Sequence, residues 1–241
     1  MRGNTASAEY ATPPWGYDTQ ALGTTAIPLP AFACHEMDRV KIRETVKRCI
    51  DLVGALLGLV ITLPIWALIA LAIKLTSRGS IFFTQERAGL HGRPFRMIKF
   101  RSMVADAEER LTSLINIDNL PEPVFKLAND PRVTPVGKFL RRFGLDELPQ
   151  LLNVLRGEMS LVGPRPEVIT LVRRYNAEQR RRLLVKPGIT GWQQIHNRGM
   201  PDMAARLAYD LYYLHNRSLL LDFWILVMTV FVIVSGKEIT Y

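Results

Sequence analysis

The sequence predicts an α+β protein, mainly helical with a small β-hairpin, anchored monotopically in a membrane by a re-entrant helix-break-helix. Three observations predict it: an uncharged run from Leu52 to Ile73 with Pro64 near its middle, two β-like runs around a Gly/Pro-rich turn, and leucines at helical spacing from Leu145 to Leu155. At 241 residues the chain exceeds a typical single domain and falls short of two comfortable ones, so one main domain with an appendage is expected. The boundaries fall at 1–40, a polar tail; 41–78, a basic flank and membrane helix; and 79–241, the main domain.

Residues 1–40 are rich in Pro, Gly, Thr and Ala, lack sustained periodicity and have no apolar stretch after Arg2, so they read as a disordered tail and not a signal peptide. The chain carries 31 Lys and Arg against 22 Asp and Glu. The tail holds only Arg2 and Arg39 against four acids, so the positive excess belongs to the rest. Such an excess suits a polyanionic partner: a phosphorylated ligand, an anionic membrane surface or nucleic acid. Two cysteines, Cys34 and Cys49, exclude a disulfide framework and suit a reducing compartment. The four His show no metal-ligand spacing.

The run Leu52–Ile73 is long enough for a bilayer, which needs roughly 20 residues. Pro64 removes a backbone hydrogen bond and crowds the carbonyl four residues back, so a bend is expected there. Basic residues flank both ends: Lys41, Arg43, Lys47 and Arg48 before, Lys74, Arg78 and Arg87 after. If positive charge marks the cytoplasmic side, both ends lie inside, and a re-entrant segment satisfies them. A kinked single pass is the alternative, since proline is tolerated in membrane helices. Asp51 would lie at headgroup depth in either case. Gly54 and Gly58 form a GxxxG spacing that serves either homodimerisation or close packing of the two arms.

The stretch "GSIFFTQERAGLHGRPFRMIKFRSM" reads as a hairpin. Lys99 and Arg101 stand two apart, which gives the second strand a cationic face. "MVADAEERLTSLI" reads as an amphipathic helix, and a Pro-broken connection follows.

"FGLDELPQLL" sets Asp146 and Glu147 at the mouth of an apolar helix, with Gly144 breaking it from "GKFLRRF" and Gly157 stopping it. Asp146 is placed near the N-cap and Pro149 in the first turn. Two readings stand. The acids are a cap, as acids at helix starts commonly are; or they are chemistry, an ionised nucleophile and a partner that share Mg²⁺ with a diphosphate. "SLVGPRPEV" fixes Arg165 between Pro164 and Pro166, a pre-organised fork for phosphate or carboxylate. "VKPGITGWQQI" places Lys186 beside a Pro187-Gly188 turn. The C-terminal run from Leu219 is short for a span and is interrupted by Asp222, so it reads as a packed or interfacial helix.

The order "FTQERAG", "FRMIKFRSM", "NDPRVTPVGKFLRRFGLDELPQLLNVLRGEMSLVGPRPE", "KPGITGW" and "YDLYYLHNRSLLLDFWIL" resembles the bacterial sugar transferases, the monotopic phosphoglycosyl transferases, over roughly residues 41 to 235. The resemblance implies transfer of a phosphosugar from a nucleoside diphosphate sugar, usually UDP-linked, to undecaprenyl phosphate with Mg²⁺. It also implies a site on the cytoplasmic face of the bacterial cell membrane and a role in starting surface polysaccharide synthesis. It makes Asp146 the nucleophile, Glu147 its partner acid and both of them metal ligands; it makes Arg141 a phosphate contact and Pro64 the break of the re-entrant helix. Arg165, Lys186, Arg87, Lys99 and Arg101 complete the phosphate-binding candidates. After "TGW" the family usually continues like "AQVNGR", whereas this chain has "QQIHNRGMPDM", a departure near the expected sugar or nucleotide. A non-enzymatic basic membrane adaptor would explain charge and anchor but not paired acids among fixed cations. The uncharged run speaks against a nucleic-acid partner.

Overall fold

The computed structural model describes residues 32–114, 120, 122, 127, 130–196 and 203–235. Most of the tail, much of the Pro-broken connection, the 197–202 part of the departure after "TGW" and the last six residues lie outside these. Helix α1, Phe32–Thr76, begins inside the stretch read as tail, so residues 32–40 belong to the helix. It continues through Pro64 without interruption. Among the described residues one helix, Lys41–Thr76, is long and apolar enough to cross a membrane.

The predicted hairpin forms as β1, Phe82–Ala88, and β2, Pro94–Phe100, paired antiparallel with Phe83 opposite Lys99. Its turn places His91 and Gly92 at positive φ. Helix α2, Ala107–Leu114, follows within the segment read as amphipathic. Helix α3, Pro135–Arg142, starts where Thr134 Oγ1 accepts a hydrogen bond from Gly137 N, with Pro135 at the first helical position, where its missing N–H is no loss. Helix α4, Gln150–Arg156, ends at Gly157 in the left-handed region, φ 84°. A second sheet, not expected from the sequence, pairs β3, Ser160–Val162, in parallel with β4, Gly188–Thr190. Its crossover carries the short helices α5, Ile169–Arg173, and α6, Ala177–Arg180. Helices α7, Trp192–His196, α8, Met203–Asn216, and α9, Leu219–Val234, complete the fold.

Strand β2 is the centre of this arrangement. Ala55 of α1, Phe95 and Met97 of β2, and Leu151, Val154 and Met159 around α4 form one buried cluster. Ile69 and Ile73 of α1 meet Phe100 and Leu140 in another, which Leu145 and Leu148 join from the acidic turn. Asn153, fully buried, fastens α4 to the outer edge of β2: its Oδ1 accepts from Ile98 N at 3.1 Å and its Nδ2 donates to Arg96 O at 2.7 Å.

Both arms of α1 therefore rest on the same body. A Cβ at Gly54 would lie 2.6 Å from Leu161 Cδ1, and one at Gly58 3.1 Å from Leu151 Cδ1. The GxxxG face is thus filled by the protein's own domain; it serves neither contact between the two arms nor, as it stands, a second copy. The opposite side of α1 exposes large apolar residues from Ile42 to Leu75, and α9 exposes Leu220, Phe223, Trp224, Val227 and Phe231. The charge that interrupts α9, Asp222, is buried: it pairs with Lys47 of α1 at 2.7 Å and accepts from Tyr213 Oη at 2.7 Å. Asp51 is buried too, and its Oδ1 accepts from Ser160 Oγ and Leu161 N, each at 3.0 Å.

Candidate active site

Asp146 and Glu147 do not cap a helix. Gly144 turns the chain into the left-handed region, φ 65°, after α3, and Leu145–Glu147 form a separate 3-10 turn with no side-chain cap bond. Helix α4 begins only at Gln150, with Pro149 at its N-cap. The expected N-cap position of Asp146 is thereby corrected: the glycine turn and Pro149 displace the helix start past both acids. Leu145 and Leu148, packed below, hold the turn so that both carboxylates are buried, 2% and 6% exposed. Both line a cavity of about 1050 Å³.

The two acids live in different surroundings. Glu147 Oε1 accepts from Lys99 Nζ at 2.9 Å and from Arg165 Nη2 at 3.0 Å. Burial alone would raise its pKa, but these two cations hold it down to about 2. Asp146 Oδ1 is buried with no hydrogen-bond partner. Burial raises the Asp146 pKa, and the Glu147 charge adds to this against the opposing pull of Lys99, Arg141 and Arg165. Burial likewise lowers Lys99, against the pull of Glu147. One acid is a fixed anion tied to cations; the other keeps a bare, more basic oxygen.

The predicted cations divide into those brought to the acids and those left elsewhere. Lys99 on β2 and Arg165 on its Pro-locked loop reach Glu147 directly. Arg141, at the end of α3, lines the same cavity while its Nε donates to Ser102 Oγ at 2.9 Å. Arg87 lines it as well, held by Pro166 O at 3.1 Å and Gln85 Oε1 at 2.6 Å, with burial lowering its pKa to about 10. Arg101 stands at the cavity wall, but the strand ends at Phe100, and its guanidinium turns away to Ser77 O and Oγ at 3.0 and 2.8 Å. Lys186 is not brought to the acids. It lies by Gly157 and Arg48, where α1 meets the domain, and burial with the Arg48 charge lowers its pKa.

Sequence reasoning missed a buried ion network behind the Arg165 loop. Arg182 and Asp210, 3% and 2% exposed, pair at 2.8 Å, and Glu167 meets Arg206 at 3.3 Å. Single charges scattered over 44 residues carry no spacing signal, so only the fold brings them together.

Among the described residues no group of three or more His, Cys, Asp or Glu converges as a metal site. The bare Asp146 oxygen beside Glu147 nevertheless fits Mg²⁺, which commonly takes one or two carboxylates and fills its remaining positions with water and substrate phosphates.

The model of the bacterial sugar transferases matches residues 42–236. The chain is 40% identical over 212 residues to the exopolysaccharide production protein ExoY of Rhizobium meliloti, covering 86% of this chain and 94% of that protein. It is 41% identical over 191 residues to the galactosyl transferase CpsE of Streptococcus agalactiae, covering 79% and 42%. It is 39% identical over 216 residues to the UDP-glucose:undecaprenyl-phosphate glucose-1-phosphate transferase of Escherichia coli, covering 84% and 43%. It thus spans nearly all of ExoY and about two fifths of the other two. With a family match over almost the whole described chain, the protein belongs to the bacterial sugar transferase family.

Proposed function

We propose that this protein transfers a phosphosugar from a nucleoside diphosphate sugar, UDP-linked, to undecaprenyl phosphate, through an aspartyl-phosphosugar on Asp146. The observation that carries the reading is the asymmetry of the acid pair: Glu147 holds two cations, while Asp146 keeps a buried oxygen without a partner beside the cavity. Carboxylates whose environments push their pKa values apart take different roles.

In the first step an Asp146 oxygen attacks the phosphorus next to the sugar, and the bond from that phosphorus to the bridging oxygen breaks. Nucleoside monophosphate leaves with the bridging oxygen. Lys99, Arg165 and Arg141 face the charge that develops there. In the second step an oxygen of the lipid phosphate attacks the same phosphorus and releases the Asp146 carboxylate, leaving the sugar on a lipid diphosphate. Mg²⁺, held by Asp146 and Glu147, would neutralise diphosphate charge. Because the sugar phosphate waits on the protein, the soluble donor and the membrane-held acceptor need not bind together.

The anchor fits this task. A helix crossing the bilayer would carry Asp51 and Ile73 to opposite faces, about 33 Å apart at 1.5 Å per residue. Here both are buried against one domain, which supports a re-entrant anchor over a crossing one and a catalytic domain on the cytoplasmic face, although the helix itself continues through Pro64. Labelling of Tyr10→Cys in intact cells should then be blocked to impermeant reagents; periplasmic reactivity would reverse the topology.

Incubation with labelled UDP-glucose or UDP-galactose and Mg²⁺, without lipid, should put label on the protein, map it to Asp146 and release one burst of nucleoside monophosphate. Label on another residue would overturn the assignment. A basic adaptor without activity would show neither label nor burst.

A further inference from the structure

Arg165 reaches Glu147 from a loop, and the structure shows what holds that loop from behind. Arg182 lies outside the cavity, 3% exposed. Its Nη2 donates to the Arg165 carbonyl at 3.2 Å, its Nη1 donates to Tyr175 Oη at 2.8 Å, and its guanidinium pairs with Asp210 of α8. Burial alone would lower the Arg182 pKa, but Asp210, Tyr175 and Glu167 together raise it, so the guanidinium stays charged. A planar fork with several donors can hold these partners at once; an ammonium cannot match that geometry.

We infer that the Arg182–Asp210 pair positions the Arg165 guanidinium against Glu147, so that α8 sets the geometry of a site it does not touch through these residues. Asp210 fixes the fork, Arg182 grips the Arg165 carbonyl, and Pro164 and Pro166 pass that constraint to the side chain. Neither member of the pair lines the cavity, so both act through Arg165. The inference rests on the transfer activity proposed above.

The test is a double-mutant cycle on the full chain in membranes, reading kcat and KM for the UDP-sugar with undecaprenyl phosphate. Arg182→Lys should lower kcat/KM at least fivefold in the wild-type background and by less than twofold in the Arg165→Ala background. A merely structural role predicts the same fold-loss in both, and that result overturns the inference, as does a loss under twofold in the wild type. If Arg182→Lys does not fold, Tyr175→Phe removes one hydroxyl and is read by the same criterion with a threshold of twofold. Absence of turnover in the wild type would sink the transfer reading itself, whereas wild-type turnover with additive losses sinks only the positioning role.

Discussion

Besides Asp210, the described residues bury two pairs of acids, and their partners differ. Asp51 and Asp222, where α1 and α9 join the domain, accept hydrogen bonds from Ser160, Leu161, Tyr213 and Lys47. Glu147 is equally well supplied, but its neighbour Asp146 keeps one oxygen without a donor. Burying an acid without partners costs free energy, so folds that need only stability fill such positions. Asp210 Oδ2 also lacks a hydrogen-bond donor, but it lies away from the cavity against Arg182; what sets Asp146 apart is an unmet oxygen at the cavity wall.

Replacing the unmet acid should break this contrast most visibly. Asp146→Asn should abolish transfer, by about 10⁴-fold or more as for a removed nucleophile, while the melting temperature does not fall. Because the folded-state pKa of Asp146 is raised, its favourable contribution exists in acid and is lost as pH rises. The stability advantage of Asn over Asp should therefore grow from acidic to alkaline pH in thermal melts. Glu147→Gln should behave oppositely. Its folded pKa is depressed, so the wild-type advantage is present above 4.5 and shrinks as pH falls toward about 2. A stability loss in Asp146→Asn at pH 8 would contradict the assignment of the bare oxygen.

The cations at the acids should give the next largest effect. Arg165→Lys and Arg141→Lys keep the charge but lose the planar fork, and each should lower kcat/KM about tenfold, the equivalent of one charge-assisted bond. Unchanged kinetics would make them supports for the fold. For the satisfied acids, Asp222→Asn should destabilise by about 2 kcal/mol through the lost Lys47 pair, with turnover per folded molecule unchanged. Equal loss of turnover would erase the distinction between the two pairs. The smallest effect belongs to Gly54→Ala, whose added methyl must displace the end of Leu161 and should cost about 1 kcal/mol without changing oligomeric state. A shift in oligomeric state would restore the GxxxG segment as a dimer contact.

The hairpin, the apolar run and the family were legible because alternation, absence of charge and a long ordered motif are local signals. The acids were found but misplaced at a cap, since leucine spacing continues through Leu145 and Leu148 although the helix starts later. Those leucines pack below the turn as they would in a helix, so periodicity could not separate the two. Lys99 and Arg101, read as one cationic face, diverge because the strand stops between them. Lys186 looked like Arg165 in its rigid turn, but nothing in a turn says which way the chain carries it. The Arg182–Asp210 pair was illegible for the same reason that makes it a tertiary device: its members meet only after the crossover folds back.

Asn153 has a consequence for the company this protein keeps. An exposed β-strand edge offers unpaired N–H and C=O groups to any passing strand and invites aggregation. The single carboxamide of Asn153 occupies the Ile98 N–H and the Arg96 carbonyl on the outer edge of β2, as a neighbouring peptide would. One side chain thus occupies the β2 edge of a two-stranded sheet that would otherwise offer those groups to templated growth.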